Sequence, residues 1–528
     1  MTGKPGLGAA AGGAAGFAAS AAAREIALSG RRRAAAPWAA VWVVAVSAVS
    51  VVSGCAHYPR TQPLGATPPP ARYAFEPLVA PNDDDEIFVC VAMSGGGTRA
   101  AAFAYGVLDK LRRTELIRPR SGRRVNLLDE VDCLSSVSGG SFTAAYFALH
   151  GRGIFQDFRA RFLDRDVQGE LMWAAINPLA WPRLMSPTFS RIDLAVEIYD
   201  RDVFDGRTYG DLMGRGRRPY LIVNGTELDS GERFVFTQDE FDLLGADLAA
   251  FPLARAVAAS SAFPIALSPL TVTNNPQPAW WKQPAALSNA VKDYDVNRRT
   301  WRWARNRLAH LDKAANPFVH VMDGGLADNL GLRAILAEMW SPTGFILRRI
   351  NTGRVAKLLV LTVNAKAGDR GALNRDAESP GLPDVAFKTA TVAMDELTGD
   401  TIEVVADFKR EMMRAQQSID DCQLVLDDQC PRAPRLPRLP ASVDMEVVDI
   451  SLDTIPDAAR RAKLLAIPTA FSLTKDQVDA LIAAAEELLS SNKAFQRFVA
   501  PPRAEIPPAN GADKQPGKPP GTQPSEDE

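Results

Sequence analysis

Val131-Asp132-Cys133-Leu134-Ser135-Ser136-Val137-Ser138-Gly139-Gly140 is the stretch on which the reading of this chain turns. Its first seven residues read as a buried strand. The run that follows, Ser141 to His150, spaces Phe142, Ala145, Tyr146 and Leu149 as a helix does. A serine at a sharp strand-to-helix turn lifts its hydroxyl above the sheet edge, where the helix dipole favours negative charge. Small neighbours are needed because such a turn is strained and closely packed. The general pattern is Gly-x-Ser-x-Gly; here Ser136 replaces the first glycine and Gly140 matches the second. Taken alone, the stretch reads equally well as a Ser/Gly-rich helix cap without catalysis.

Two more strand ends change the odds. Ile87 to Met93 is a short β-favouring run that leads into Ser94-Gly95-Gly96-Gly97-Thr98-Arg99, after which Phe103, Val107, Leu108 and Leu111 follow helical spacing. Strand, glycine turn and helix place free N–H groups where an anion or oxyanion can bind. Gly95-x-Gly97-x-x-Ala100 formally matches a dinucleotide fingerprint, but Glu115 stands in a charged helix exit, not at the end of a second strand. A phosphate-binding loop would need a lysine that is missing. The third end is Phe318 to Met322, running into Asp323-Gly324-Gly325. In an open α/β sheet the strand C-termini share one edge, and that edge hosts the site. A serine nucleophile also needs a base. Of the four histidines, His57 lies in a proline-rich stretch, His320 reads as a core or ladder residue, and His150 ends the helix that Ser138 begins. A Ser-Asp pair therefore fits better than a Ser-His-Asp triad.

Together these pieces resemble the patatin-like phospholipases over roughly residues 87–365. Gly95-Gly96-Gly97-Thr98-Arg99 stands as the oxyanion loop, Ser136-Val137-Ser138-Gly139-Gly140 as the elbow, and Asp323-Gly324-Gly325 as the acidic turn. Ala258-Ala259-Ser260-Ser261-Ala262-Phe263-Pro264 is similar to a fourth family block, and all four come in family order. The resemblance implies an α/β fold of three layers, with a mostly parallel central sheet flanked by helices, helical insertions and a helical C-terminal extension. It also implies a serine lipid acyl hydrolase in which Ser138 attacks an ester carbonyl, Asp323 takes its proton and the Gly95–Gly97 amides hold the oxyanion. Gly139, Gly140, Gly324 and Gly325 would support the elbow and the acidic turn. Arg99 would either brace the loop or meet a substrate phosphate. This chemistry calls for no metal and no cofactor. An acyltransferase or thioesterase on the same pair, or a silent lipid-binding envelope lipoprotein, are the alternatives.

Composition agrees with a globular body. Of 528 residues, 46% are hydrophobic and 23% charged, while 38 glycines and 38 prolines are too few for a collagen-like or wholly disordered chain. The net charge of −2 points to no nucleic-acid partner. Near the N-terminus, Arg31-Arg32-Arg33 precedes an apolar run that closes on Val52-Ser53-Gly54-Cys55. That layout reads as a secretory signal, with a plain transmembrane anchor of 19 residues as the alternative, and its ending resembles the lipobox of bacterial lipoproteins. The resemblance implies lipid on Cys55 and a place in the bacterial cell envelope, at the outer membrane.

The expected division is a leader over 1–54, a proline-rich tether over 55–84, a catalytic domain over 85–385, a helical extension over 386–500 and a disordered tail over 501–528. The acidic run Asp83 to Glu86 reads as a solvated entry to the first strand. Cys90 and Cys133 read as buried thiols, whereas Cys422 and Cys430 are candidates for a disulfide in an oxidising compartment. Two inserts interrupt the domain, at about 155–215 and 271–316. Both are tryptophan-bearing, and the second interleaves Trp with Arg. They read as extra packing helices or as a surface facing a membrane. Thr474 to Leu489 is an amphipathic helix with Thr474 and Gln477 spaced as a capping box.

Overall fold

The structure is a computed structural model. It describes residues 57–79, 85–365, 377, 379–436 and 443–501, apart from positions 265, 293, 296 and 342. The leader, Cys55 and nearly all of the tail lie outside the described residues.

Among the described residues there are ten strands: β1 (Ile87–Met93), β2 (Glu115–Ile117), β3 (Arg124–Asn126), β4 (Val131–Val137), β5 (Tyr220–Glu227), β6 (Arg233–Val235), β7 (Leu270–Thr273), β8 (Phe318–Asp323), β9 (Lys357–Asn364) and β10 (Asp444–Ser451). Eight form one sheet in the order β10-β9-β1-β4-β5-β8-β7, with β6 also on β5. β10, β9, β1, β4 and β5 run parallel, and β6, β8 and β7 close the far side antiparallel. β1, β4 and β9 are buried along their whole length, as strands covered on both faces must be. From β1 the chain goes one way to β4 and β5, and later returns on the other side as β9 and β10. The reversal puts the end of β1 at a topological switch point, where open α/β sheets bind ligands.

The helices used below are α1 (Gly97–Arg112), α2 (Gly139–His150), α3 (Val167–Ile176), α4 (Trp181–Leu184), α5 (Leu253–Ser260), α6 (Arg298–Ala309), α7 (Leu382–Gln429) and α8 (Lys475–Ser491). α8 carries the expected capping box and buries Val478, Leu481 and Leu488. It lies across α1 at Gly106, where a Cβ would come within 2.8 Å of the Ile482 backbone. With β10 in the sheet and α8 on α1, the C-terminal region completes the core of the body. Among the described residues, no helix is long and apolar enough to cross a membrane.

Four expectations are corrected. Residues 57–79 are docked on the body and are not a free tether. Buried Tyr73 stacks on Tyr220 at 4.8 Å and Phe75 on Phe345 at 4.7 Å, and the Tyr73 hydroxyl accepts from Leu221 N–H at 2.8 Å. Asp85 and Glu86 are buried, not solvated. Asp85 meets Arg349, and the Glu86 carboxylate accepts from the N–H groups of Arg120 and Ser121. Cys90 and Cys133 are joined in a disulfide. Parallel register sets them opposite each other with Cα atoms 4.6 Å apart, inside the range a disulfide spans. Cys422 and Cys430 are instead free and exposed. They sit on α7 and at its C-cap, so eight helical residues hold them about 12 Å apart along the axis.

Candidate active site

Ser138 joins β4 to α2 with φ of 48° and ψ of −122°, a conformation that few non-glycine residues adopt. Such strain persists only where the surroundings enforce it. Here they do so from two sides. A Cβ at Gly139 would collide with the Gly97 carbonyl, and one at Gly140 would come within 2.6 Å of the Ser94 carbonyl oxygen. The elbow and the glycine loop are thus in backbone contact, and only glycine fits between them. From the other side the Ser138 N–H donates to Ser260 Oγ at 2.8 Å, and Ser260 Oγ donates in turn to the Asn224 carbonyl at 2.6 Å.

The serine in the place of the first elbow glycine is accommodated by polar contacts. Ser136 Oγ accepts from Ser141 Oγ at 3.1 Å, and Ser141 Oγ lies 3.0 Å from Ser260 Oγ. Asn224 Nδ2 donates to Ser135 Oγ at 2.9 Å and to the Ser136 carbonyl at 3.0 Å. A buried net of hydroxyls and one amide therefore does what a bare glycine would do by absence.

Asp323 ends β8. Its N–H donates to the Ala262 carbonyl at 3.1 Å, and the Gly324 N–H to the Ser260 carbonyl at 3.2 Å. Its carbonyl accepts from Thr226 Oγ1 at 2.8 Å. The block 258–264 at the end of α5 thus holds both the elbow and the acidic turn in place. Only Ser260 touches both, through its side chain to one and its backbone to the other. The Asp323 carboxylate accepts from Gly325 N–H at 2.8 Å and from the Ser138 hydroxyl. Burial pushes its pKa up to about 6, against the downward pull of those two donors. A carboxylate so placed is still ionised at neutral pH and is a stronger proton acceptor than an exposed aspartate.

The glycine loop is only partly free. The Gly95 N–H donates to the Asn329 carbonyl at 3.0 Å, so of the three amides expected to hold an oxyanion it is already engaged. Gly96 and Gly97 N–H have no partner among the described residues. The next amide, Thr98 N–H, donates to the Ala470 carbonyl at 2.8 Å. Arg99 is buried and braces the loop: its guanidinium donates to the Ala365 carbonyl at 3.0 Å, the Ile467 carbonyl at 2.7 Å and Thr469 Oγ1 at 2.9 Å. The segment 467–471 is thereby a strap across the start of α1. Its Phe471 ring lies 6.1 Å from Phe142 of the nucleophile helix.

Sequence reasoning found Ser138, Asp323, the glycines and Arg99, and the structure brings all of them to one edge. It missed the parts played by Asn224, Asn329 and the strap. Asn329 Oδ1 is buried without a partner among the described residues, close under Gly95 and Gly325. No histidine joins the group. His320 faces Thr271 at 3.1 Å as a ladder residue, and His310 is buried 3.6 Å from Glu227. Among the described residues no cluster of His, Cys, Asp and Glu is disposed to hold a metal.

The second insert packs its Leu287 and Ala304 on Leu243 of the body as a small separate core. On α6, Arg305 lies over Trp301 and Arg307 over Trp303, at 5.2 and 4.9 Å. Arg298, Arg302 and Arg305 line a cleft of about 640 Å³ beside Ser230 and Glu232, past the end of β5.

Several solved structures align with this chain at low identity. Human GIVD cytosolic phospholipase A2 aligns at 14% identity over 80% of this chain with a TM-score of 0.39; the match spans 63% of the human chain, under two thirds of its length. VipD from Legionella pneumophila aligns at 11% identity over 76% of this chain and 67% of its own, with a TM-score of 0.26. ExoU from Pseudomonas aeruginosa, solved with SpcU, aligns at 14% over 77% of each chain with a TM-score of 0.19. No curated protein sequence matches this chain. The family model described as Patatin-like phospholipase matches residues 91–336, from within β1 past the acidic turn. Over those residues, just under half of the chain, it is similar to the patatin-like phospholipases.

Proposed function

We propose that this protein is a serine lipid acyl hydrolase working through Ser138 and Asp323. The observation that carries the reading is the elbow itself: a strained serine whose hydroxyl is hydrogen-bonded to a fully buried carboxylate with a pKa of about 6. The match to a phospholipase family model supports a lipid hydrolase, and the pair supplies a chemistry for it. Ser138 Oγ attacks the ester carbonyl carbon as its proton passes to Asp323. The carbonyl oxygen takes up the negative charge and is held by the Gly96 and Gly97 amides at the start of α1. One such donor is worth roughly 3–4 kcal/mol. Collapse expels the alcohol, which takes the proton from Asp323. Water then attacks the acyl-serine, gives its proton to Asp323, and the freed Ser138 recovers one. Membrane attachment through a lipidated Cys55 belongs to the same proposal.

Labelling with a fluorophosphonate probe tests the site. Wild type labels, and Ser138→Ala and Asp323→Asn do not. Equal labelling of wild type and Ser138→Ala would place the nucleophile elsewhere. Fatty acid released from a phospholipid panel by wild type alone would establish the substrate class.

A further inference from the structure

The first insert leaves an apolar surface uncovered. α3 reads Val-Gln-Gly-Glu-Leu-Met-Trp-Ala-Ala-Ile, and past its first turn it has no polar face. A helix that is apolar all round belongs inside a core or in contact with lipid. Yet of its residues only Val167 is buried. Met172, Trp173 and Ile176 are 60%, 65% and 61% exposed, and beyond the helix Leu179, Trp181 and Met185 are 85%, 53% and 66% exposed. From Leu171 to Pro182 there is no charged residue at all, and from Leu171 to Arg191 there are two arginines and no acid. Of the two, Arg183 also pairs with Glu197 of the body. Single exposed apolar residues are ordinary, but six large ones within fourteen residues mark an interaction surface.

The surface is joined to the candidate site. At the start of α3, Gln168 N–H donates to the Phe471 carbonyl and Gln168 Oε1 accepts from Phe471 N–H, both at 3.2 Å. The neighbouring Ala470 carbonyl takes the Thr98 N–H beside the oxyanion loop, and the Phe471 ring leans on Phe142 of the nucleophile helix. So α3 starts two short contacts from both halves of the catalytic machinery. Ser138 meanwhile is only 7% exposed, so substrate must come to it through its immediate surroundings.

We propose that α3, α4 and the loop between them dock the protein onto a lipid surface, with Trp173, Leu179 and Trp181 entering the headgroup–acyl boundary beside the site. This rests on the lipid-hydrolase reading above, since continuity with that site is what selects a bilayer as occupant. The residue types agree: tryptophans at the ends of a neutral apolar segment suit the interface, and basic residues without acids complement anionic headgroups. The other insert is less suited, because its Trp301 and Trp303 are covered by its own arginines.

The test uses the mature chain from residue 55 onward, made without the leader and carrying Cys55→Ser, so that neither a lipid anchor nor the apolar run before Cys55 contributes. It is mixed with vesicles of phosphatidylglycerol and phosphatidylcholine and floated on a gradient. The parent floats, while Trp173→Ser/Leu179→Ser loses vesicle binding by about tenfold or more. Both sites are exposed, so melting temperature and fluorophosphonate labelling of Ser138 stay at parent values. Normal labelling with unchanged flotation in the double variant would overturn the docking surface alone. Absence of labelling in the parent would instead strike the hydrolase reading. A parent that is dimeric by light scattering, and made monomeric by the double variant, would show that the surface binds a second copy and would overturn the lipid assignment.

Discussion

Ser260 is the residue on which the site's geometry depends without taking part in its chemistry. Its hydroxyl accepts from the elbow amide and donates to Asn224, and its carbonyl receives the Gly324 amide. Removing the hydroxyl leaves a buried N–H unpaired, at about 1–3 kcal/mol. Ser260→Ala should therefore fold, melt lower, and lose roughly tenfold or more in kcat on a soluble ester with little change in KM. A differential melting curve and steady-state kinetics check both. Asp323 makes a pH prediction. With its pKa near 6, kcat/KM should fall below pH 6 by about tenfold per pH unit as the base is protonated. Its stability effect has the opposite direction. The folded pKa lies above the ordinary 3.8, so between about pH 4 and 6 the folded state holds a proton that the unfolded state has released. Stability contributed by this group therefore falls as pH rises through that window. Asp323→Asn should be inactive and should lack that decline, which melting curves across pH 4 to 7 will show.

At the scale of elements, a tight joint outside the site is α1 against α8. Gly106 lets α1 approach to within a Cβ's width of the Ile482 backbone, and backbone cannot step aside as a side chain can. Gly106→Val should cost about 1–3 kcal/mol or more and lower the thermal midpoint, whereas Gly122→Ala in an open turn strains only its own positive φ. The same contrast explains what could be read from residues alone. Three strand ends announced themselves because each packs its signal into ten consecutive residues: apolar run, glycines, then a polar tip. Ser138, Asp323 and the glycine loop were legible for that reason. Ala470 and the Asn329 carbonyl were not, because a backbone oxygen accepting a hydrogen bond leaves no mark on residue type. Nor was the choice of disulfide. Cys90 and Cys133 become partners only once β1 and β4 lie side by side, and eight residues between Cys422 and Cys430 look close until a helix stretches them. Tyr73 and Phe75 were hidden by the prolines around them.

At the scale of the whole molecule, one side of the main sheet is finished by the last part of the chain. β9 and β10 lie outside the matched residues 91–336, yet β9 is the direct neighbour of β1. Truncation after residue 442 should therefore give no independent catalytic domain. Loss of β10 and α8 exposes β9 and the buried face of α1, and the product should be recovered as insoluble material or bind a hydrophobic dye. At the other end, incorporation of a clickable palmitate analogue in a bacterial host should label wild type and not Cys55→Ala; unlabelled wild type would remove the lipid anchor from the proposal.

The guanidinium of Arg99 reaches a carbonyl 368 residues further along the chain. A polypeptide is made from one end to the other, so this contact closes late in synthesis. A nascent chain already carries Ser138 and Asp323 long before Ile467, Thr469 and Ala470 emerge to steady the glycine loop. The glycine loop thus gains its braces only after both proposed catalytic residues have been made. On the proposed lipid-hydrolase reading, a partly made chain would lack a steadied loop and would spare nearby lipid.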